Sequence, residues 1–258
     1  MTKKVAVLMG GCSSERGVSL SSGKNVLKAL EEAGYDAFSL DLSHDLTAFV
    51  ETLKKEKPDV VFNALHGQYG EDGCVQGVLD VMQIPYTHSG RLASALAMNK
   101  IMAKKLYRMA GLPVAVDRIV SKEDILAGNV LPHPFVLKPV SNGSSVGVYI
   151  FRENNGRKPF EGEKYPYADD DEIMAEEYVE GRELTVAVMN GKALGVLEIL
   201  PTEKFYNYKA KYSEGGAKHV IPANLPKEDY EKALYIAEEA HKVLGCRGIS
   251  RSDIRYDD

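Results

Sequence analysis

The first third of the chain alternates continuous apolar runs with amphipathic segments. The runs "KVAVLM" at 4–9 and "DVVFNAL" at 59–65 carry apolar residues at successive positions. Such runs are typical of strands buried on both faces of a parallel sheet. Helical spacing follows the first run, over about 15–33. This alternation predicts βαβ units, and hence an open parallel α/β domain over residues 1–96.

The remaining sequence no longer alternates strands with helices in this way. A predicted strand, a glycine-rich loop and a second strand occupy "HPFVLKPVSNGSSVGVYIF", and Asn190-Gly191 between two apolar runs is a strong hairpin signal. The polar, irregular stretch at 152–171 is predicted to be a surface loop or a poorly formed helix. We therefore expect a small α+β lobe at 97–181 and a larger lobe at 182–258.

Composition excludes several classes of protein. The chain has 258 residues and a net charge of −5, without the basic block that a nucleic-acid footprint requires. No segment approaches the roughly 20 apolar residues of a membrane span. Its three cysteines, Cys12, Cys74 and Cys246, form no disulfide framework. We expect neither nucleic acid nor a membrane as a partner, and a cytoplasmic location.

The segment "KPVSNGSSVG" at 138–147 places a lysine ahead of a loop of glycines and serines. Lys138 offers a cation, and the loop around Ser144 and Ser145 offers several backbone N–H groups, a combination that binds phosphate. It is neither a Walker A loop nor G-x-G-x-x-G, because the lysine precedes the glycines. For this segment alone, a flexible hairpin loop is an equally good interpretation.

Two further segments fit a nucleotide. In "EEYVEGRE" at 176–183, four carboxylates flank a short apolar pair. Carboxylates accept from an adenine amine or ribose hydroxyls, although a solvated strand end is the better interpretation of this segment alone. The segment "KAKYSEGG" at 209–216 is either a loop that closes over a polyphosphate or an ordinary basic surface loop.

Polar residues also follow predicted strands. Glu15 lies in the turn after the first strand, and His66 follows a parallel strand, where open α/β sheets bind ligands. His66 either contacts a ligand or braces its loop. In "SRSDI", Arg251 and Asp253 are two residues apart and point to one face of a strand. They either bind an anion and a hard cation or form a salt bridge with each other.

Taken in order, these segments resemble the D-alanine–D-alanine ligase family, ATP-grasp enzymes of peptidoglycan synthesis. The resemblance rests on "GGCSSERGVSL", "ALHGQYGEDGCVQG", "SALAMNK", "LKPVSNGSSVGV", "EEYVEGRELTVAV", "FYNYKAKY" and "SRSDI", and spans nearly the whole chain. It implies a mixed α/β and α+β fold, with the N-terminal open parallel domain followed by a two-lobed ATP-grasp fold. It also implies ATP-dependent ligation of two D-alanines through a D-alanyl phosphate, with two Mg²⁺ (or Mn²⁺) ions, in a homodimer.

The resemblance assigns roles by position. It places Lys100, Lys138, Ser145 and Lys211 at the phosphates of ATP, and Glu176, Glu177, Tyr178, Val179 and Glu183 around its adenine and ribose. The loops at 141–147 and 203–216 are expected to be mobile in the empty site and ordered when it is filled.

The same resemblance describes a substrate site. Glu15, Ser144 and Tyr212 match a hydrogen-bonded trio in which Glu15 faces the ammonium of the first D-alanine. His66 matches the histidine near that substrate, and Arg251 matches the arginine that stabilises the reacting carbonyl oxygen. The tyrosine of the trio favours a dipeptide product over D-alanyl-D-lactate.

One part of the family pattern is missing. Asp253 matches one magnesium carboxylate, but the Glu-x-Asn pair that completes the metal site and the Pro-Gly-Met segment for the second substrate are not among the 258 residues. One carboxylate cannot hold two hard cations. Beside the dipeptide ligase, we therefore keep a D-alanine–D-lactate type ligase of this fold and a truncated, non-catalytic ATP-binding fragment as alternatives. A Rossmann oxidoreductase is disfavoured by the absence of G-x-G-x-x-G.

Overall fold

The structure of the protein, a computed structural model, describes residues 2–153, 156–201 and 216–257. Its helices are α1 (Arg16–Glu32), α2 (Leu46–Glu56), α3 (Cys74–Val81), α4 (Arg91–Met98), α5 (Lys100–Met109), α6 (Lys122–Ala127) and α7 (Lys227–Val243). Its strands are β1 (Lys4–Gly10), β2 (Asp36–Leu42), β3 (Val60–Asn63), β4 (Asp117–Val120), β5 (Phe135–Pro139), β6 (Tyr149–Phe151), β7 (Ile173–Glu177), β8 (Arg182–Met189), β9 (Lys192–Pro201), β10 (Ala217–Val220) and β11 (Ile249–Tyr256).

The chain divides into two compact units. One unit comprises Met1–Ala97 and Gly245–Ser250, and the other comprises Met98–Leu244 and Arg251–Asp258. The division of the sequence into three domains, at 1–96, 97–181 and 182–258, stays a prediction. None of the helices in the described ranges combines the length and the apolar character that crossing a lipid bilayer requires.

The N-terminal unit is built on a parallel sheet of order β2-β1-β3. The central strand β1 is buried on both faces, because Leu8 packs in one apolar cluster and Val7 in another. Gly23 lets helix α1 approach this strand closely, since an added Cβ would lie 2.5 Å from the Cβ of Met9. The predicted open parallel α/β sheet is confirmed.

A late segment of the chain completes the N-terminal unit. The backbone N–H of Arg247 donates to Ser89 Oγ at 3.4 Å, and the Arg247 guanidinium lies 4.8 Å from the centre of the Tyr86 ring. Gly248 packs against the backbone of His88, 3.3 Å from where its own Cβ would be. The segment Gly245–Ser250 therefore belongs structurally with residues far earlier in the sequence.

The second unit contains two further sheets. One has the order β4-β7-β5-β6, with its neighbouring strands antiparallel. The other has the order β10-β9-β8-β11, in which β9 is antiparallel to both β10 and β8. The predicted hairpin joins β8 and β9, with Asn190 and Gly191 both at positive φ, as its two-residue turn requires. Helix α7 buries Ala233 and Ala237 against these two strands.

The described residues of the polar stretch at 152–171 are irregular and mostly exposed, as predicted, but aromatic side chains anchor the stretch. Its described residues form no helix or strand, yet Phe160 and Tyr167 are buried in the core of the sheet that contains β5. The Phe160 ring makes an edge contact with the Tyr149 ring, with centroids 5.0 Å apart. Aromatic side chains therefore fix a segment whose overall composition is polar.

Candidate functional site

The turn after β1 is held by glycines and an ion pair. Gly10 and Gly11 both have positive φ, and a Cβ on Gly10 would lie 2.1 Å from Asp41 Oδ1. Arg16 donates to both oxygens of Asp41, at 2.7 and 2.6 Å, and holds the pKa of that carboxyl below its ordinary value. The ion pair between Arg16 and Asp41 therefore stabilises the turn that contains Glu15.

Glu15 and His66 meet at one edge of the parallel sheet. Glu15 is only 5% exposed, and its Oε2 lies 2.8 Å from where a Cβ of Gly67 would be. Ser13 links the two loops, because its hydroxyl donates to the His66 carbonyl at 2.7 Å and accepts from the Glu15 N–H at 3.1 Å. The structure thus brings together the two residues that the sequence assigned to the first substrate.

Two amide side chains shape the loop after His66. Asn63 Nδ2 and Gln76 Nε2 both donate to the Gly70 carbonyl at 2.8 Å. The His66 ring shares a hydrogen bond of 3.3 Å with the hydroxyl of Ser22. Asn63 and Gln76 were not singled out in the sequence, and nothing in the pattern indicates that their amides converge on one carbonyl.

In the second unit, Lys100 begins helix α5 and reaches back to the strand end after β5. Its Nζ donates to the carbonyls of Pro139, Val140 and Asn142 at 2.9, 3.2 and 2.6 Å. Burial, reinforced by the charge of Lys138, lowers the pKa of Lys100 from 10.5 to about 8. Lys100 therefore fixes the start of the glycine-rich loop, and its charge is sensitive to pH near neutrality.

Glu176 on β7 is held by two lysines. Lys138 on β5 binds its Oε1 at 2.5 Å, and Lys104 on α5 binds its Oε2 at 2.5 Å. Burial raises the pKa of Glu176, but these lysines outweigh it and hold the pKa below its ordinary value. Lys104 also pairs with Asp117 at 2.8 Å. The structure thus joins two predicted nucleotide residues, Lys138 and Glu176, in one buried ionic network.

The glycine-rich loop has an unusual backbone. Ser144 and Ser145 have φ angles of 52° and 59°, a left-handed conformation that few residues other than glycine adopt. Gly147 packs tightly, since its Cβ would lie 3.0 Å from Pro139 and 3.4 Å from the Tyr167 ring. This backbone is set by its surroundings, as expected of a loop that presents N–H groups to a ligand.

The turn between β7 and β8 carries the predicted adenine and ribose residues. Two guanidinium groups lie over the Tyr178 ring: that of Arg152 is 4.8 Å and that of Arg255 is 5.6 Å from the ring centroid. Arg255 donates to the Val179 carbonyl at 3.1 Å and to the Gly181 carbonyl at 2.9 Å.

The two glutamates that flank this turn lie differently. Glu177 is exposed at the end of β7. Glu183, near the start of β8, pairs with Arg255 at 3.8 Å. Arg255 therefore joins both the turn and the predicted ribose carboxylate to strand β11.

Arg251 and Asp253 lie on one face of β11, as the sequence predicts. Arg251 Nε lies 3.0 Å from Asp253 Oδ1, and Thr185 donates to the same carboxylate at 2.9 Å. In residues 2–153, 156–201 and 216–257, no group of three or more His, Cys, Asp or Glu side chains could hold a metal ion. These described residues do not fit a two-magnesium site.

Two of the predicted site residues belong to a segment between β9 and β10. Lys211 and Tyr212, with the rest of 202–215, lie outside the described residues. Lys104 and Arg255 are two site residues that the sequence reasoning did not identify, although the spacing of each indicates it. Lys104 is four residues after Lys100 on a predicted helix, so the two share a helix face. Arg255 is four residues after Arg251 on a predicted strand, so these two share a strand face.

Comparison with known proteins identifies the family. A family model of the D-ala D-ala ligase C-terminus matches residues 106–258, and one of the N-terminus matches residues 4–57 and 45–89. The chain is 52% identical over 258 residues to the D-alanine–D-alanine ligase of Paramagnetospirillum magneticum, covering 100% of this chain and 83% of that protein.

Solved structures agree with this similarity. The crystal structure of the D-alanine–D-alanine ligase from Bacillus anthracis has a TM-score of 0.79 at 30% identity, covering 100% of this chain and 84% of the other. The structure of that ligase complexed with ATP gives a TM-score of 0.78 at 27% identity, covering 100% and 83%. The mixed parallel and antiparallel sheets are accordingly those of an ATP-grasp fold, and the chain belongs to the D-alanine–D-alanine ligase family.

Proposed function

We propose that this protein uses ATP to join two D-alanine molecules into D-alanyl-D-alanine for peptidoglycan synthesis. The observation that carries the proposal is the match of the whole chain, at 52% identity, to a D-alanine–D-alanine ligase. Use of ATP is supported by the similar ligase that was solved with ATP bound.

The proposed reaction has two steps. A carboxylate oxygen of the first D-alanine attacks the γ-phosphorus of ATP, which gives D-alanyl phosphate and ADP. The neutral amine of the second D-alanine then attacks the acyl carbon, phosphate leaves, and the amine proton passes to solvent. Phosphoryl transfer of this kind depends mostly on positioning and charge neutralisation.

Different groups of residues are suited to binding the first D-alanine, to neutralising the phosphates and to stabilising the oxyanion. The buried carboxylate of Glu15 suits the ammonium of the first D-alanine, with His66 beside it. Lys138, together with Lys100, supplies cationic charge for the phosphates, next to the glycine-rich loop. Arg251 would stabilise the oxyanion that forms at the acyl carbon.

Phosphate release is the direct test. We expect release that requires ATP, a divalent cation and D-alanine together, with D-alanyl-D-alanine as the product. L-alanine serves as the matched control, because it differs only in the configuration of the carbon whose ammonium Glu15 would bind. Equal release with L-alanine would contradict the proposal, and so would ATP hydrolysis without dipeptide.

The second substrate is tested in the same assay. We propose that D-alanine is preferred over D-lactate as the attacking molecule, in line with the named relative. Product should therefore form with D-alanine as sole substrate, and adding D-lactate should give little D-alanyl-D-lactate at any point of a pH series. Predominant ester at every pH would contradict this preference.

Three further features complete the proposal by family resemblance. We propose that the divalent ions are Mg²⁺ or Mn²⁺, that the enzyme is a homodimer, and that it acts in the cytoplasm. Phosphate release with each metal chloride tests the first of these. Sedimentation of the protein tests the second, with twice the mass of the chain expected, and fractionation of cells tests the third.

A further inference from the structure

The two lysines on Glu176 are not equivalent. Each binds one carboxylate oxygen at 2.5 Å, but the Lys104 side chain is 10% exposed and the Lys138 side chain is 21% exposed. Lys138 extends from β5, one residue before the strand end at Pro139, where the glycine-rich loop begins. Lys104 lies within helix α5 and is one of its buried residues. Lys138 is therefore the lysine with access to a ligand.

Lys104 is fixed from a second side. Its Nζ lies 2.8 Å from Asp117 Oδ1, and Asp117 also pairs with Arg108. The β4–β7 pairing places Asp117 directly opposite Glu176, so Lys104 bridges the two carboxylates across neighbouring strands. A cation between two buried carboxylates has little freedom to leave either of them.

We propose that Lys104 is a positioning residue of the nucleotide site, the permanent counterion of Glu176. When ATP binds, Lys138 turns from Glu176 to the phosphates, and Lys104 keeps the carboxylate ionised. The released Oε1 then accepts a hydrogen bond from the adenine amine. This inference rests on the proposed function, because it requires that ATP binds beside Lys138.

The electrostatics of the cluster support this division of roles. Within the described part of the chain, the charged groups that face Glu176 are Lys100 and Lys104 from α5, Lys138 from β5 and Asp117 from β4. Burial alone would raise the pKa of Glu176, and the two lysines reverse that effect. If Lys138 left and no other cation remained, a buried carboxyl group would take up a proton.

The protonation state of Glu176 determines which base is preferred. An ionised carboxylate accepts from the 6-amine of adenine and repels the 6-oxo group of hypoxanthine, whereas a protonated carboxyl donates to that oxo group. ATP and ITP differ at this position and carry the same triphosphate. The ratio of their affinities therefore reports the charge of Glu176 and is independent of how much of the protein is folded.

The experiment measures binding of ATP and ITP, with Mg²⁺ and without D-alanine, by calorimetry. The full chain is compared with Lys104→Met, with Lys104→Arg, which keeps the cation, and with Lys105→Met, which alters the exposed neighbouring lysine. In Lys104→Met, the preference for ATP should fall about tenfold or more, and fall further from about pH 8 to pH 6, because Glu176 becomes protonated. Lys104→Arg and Lys105→Met should keep the preference of the unmodified chain.

The outcomes separate the two proposals. An unchanged ratio in Lys104→Met, at every pH, would overturn the role of Lys104. If that variant does not fold, the double variant Lys104→Met, Asp117→Asn removes the second buried carboxylate and should show the same loss of preference. A protein that binds ATP with this pattern but makes no dipeptide would overturn the ligase proposal alone, and one that binds neither nucleotide would overturn both.

Discussion

Gly181 is the position where one added methyl group should disturb the structure most. Its φ is +120°, and a Cβ built there would lie 2.0 Å from the carbonyl oxygen of Tyr256 and 2.9 Å from the carbonyl carbon. Both obstacles are backbone atoms, so no side chain can rotate away. Gly181→Ala must therefore push the end of strand β11 from the turn that precedes β8.

The expected cost has two parts. Holding a non-glycine residue at such a φ costs about 1–3 kcal/mol. Moving the strand end also strains the hydrogen bond of 2.9 Å from Arg255 to the Gly181 carbonyl, and a hydrogen bond to a charged group contributes about 1.5–3 kcal/mol. Together these give roughly 2.5–6 kcal/mol, or a fall in Tm of about 5–24 °C for a protein of this size.

Gly191→Ala is the matched control. Gly191 also has a positive φ, of +78°, but among the described residues other than its chain neighbours no atom lies within 4 Å of where its Cβ would be. The control therefore carries the backbone strain alone, about 1–2 kcal/mol, and should lower Tm by about 4 °C. Thermal unfolding followed by circular dichroism measures both variants. Equal falls in Tm would refute the close approach of Tyr256 to Gly181.

Three other perturbations test the remaining parts of the site. Glu15→Gln should raise KM for D-alanine roughly 10- to 100-fold through loss of about 1.5–3 kcal/mol of charge-assisted bonding, with the affinity for ATP unchanged; steady-state kinetics measures both, and the reverse pattern would contradict the assignment. Since the pKa of Lys100 is lowered from 10.5 to about 8, its ammonium is lost in the folded protein as pH rises through 8. Affinity for ATP should then fall by up to about tenfold per pH unit above 8, because bound phosphate favours the protonated lysine, and a flat profile would exclude Lys100 from the phosphates. Asn63→Ala removes one donor to the Gly70 carbonyl and should raise KM for D-alanine while KM for ATP stays constant; a change in KM for ATP alone would show that the loop after His66 does not serve the amino acid.

The sequence predicted best those features that depend on neighbours along the chain. The hairpin at Asn190-Gly191 follows from local turn chemistry. The assignment of Glu15 and His66 to one substrate rests instead on the family resemblance. Both follow strands, β1 and β3, that are adjacent and parallel in the structure, and the carboxyl ends of parallel strands share one edge of the sheet.

Features set by tertiary packing could not be predicted in this way. Lys104 became important only because β4 pairs with β7 and places Asp117 opposite Glu176, and no local pattern indicates that pairing. Phe160 is buried within a stretch whose composition is polar, because packing acts on single side chains and composition averages over many.

The segment Gly245–Ser250 has a consequence for how the protein is made. A ribosome completes residues 1–97 long before it reaches Arg247, whose backbone N–H bonds to Ser89 and whose side chain covers Tyr86. Domains emerging during synthesis generally fold as units, from the N-terminus onward. Here the N-terminal unit has to wait for a segment that follows α7 in the chain. Its last contacts therefore form only after α7 and Arg247 have left the exit tunnel.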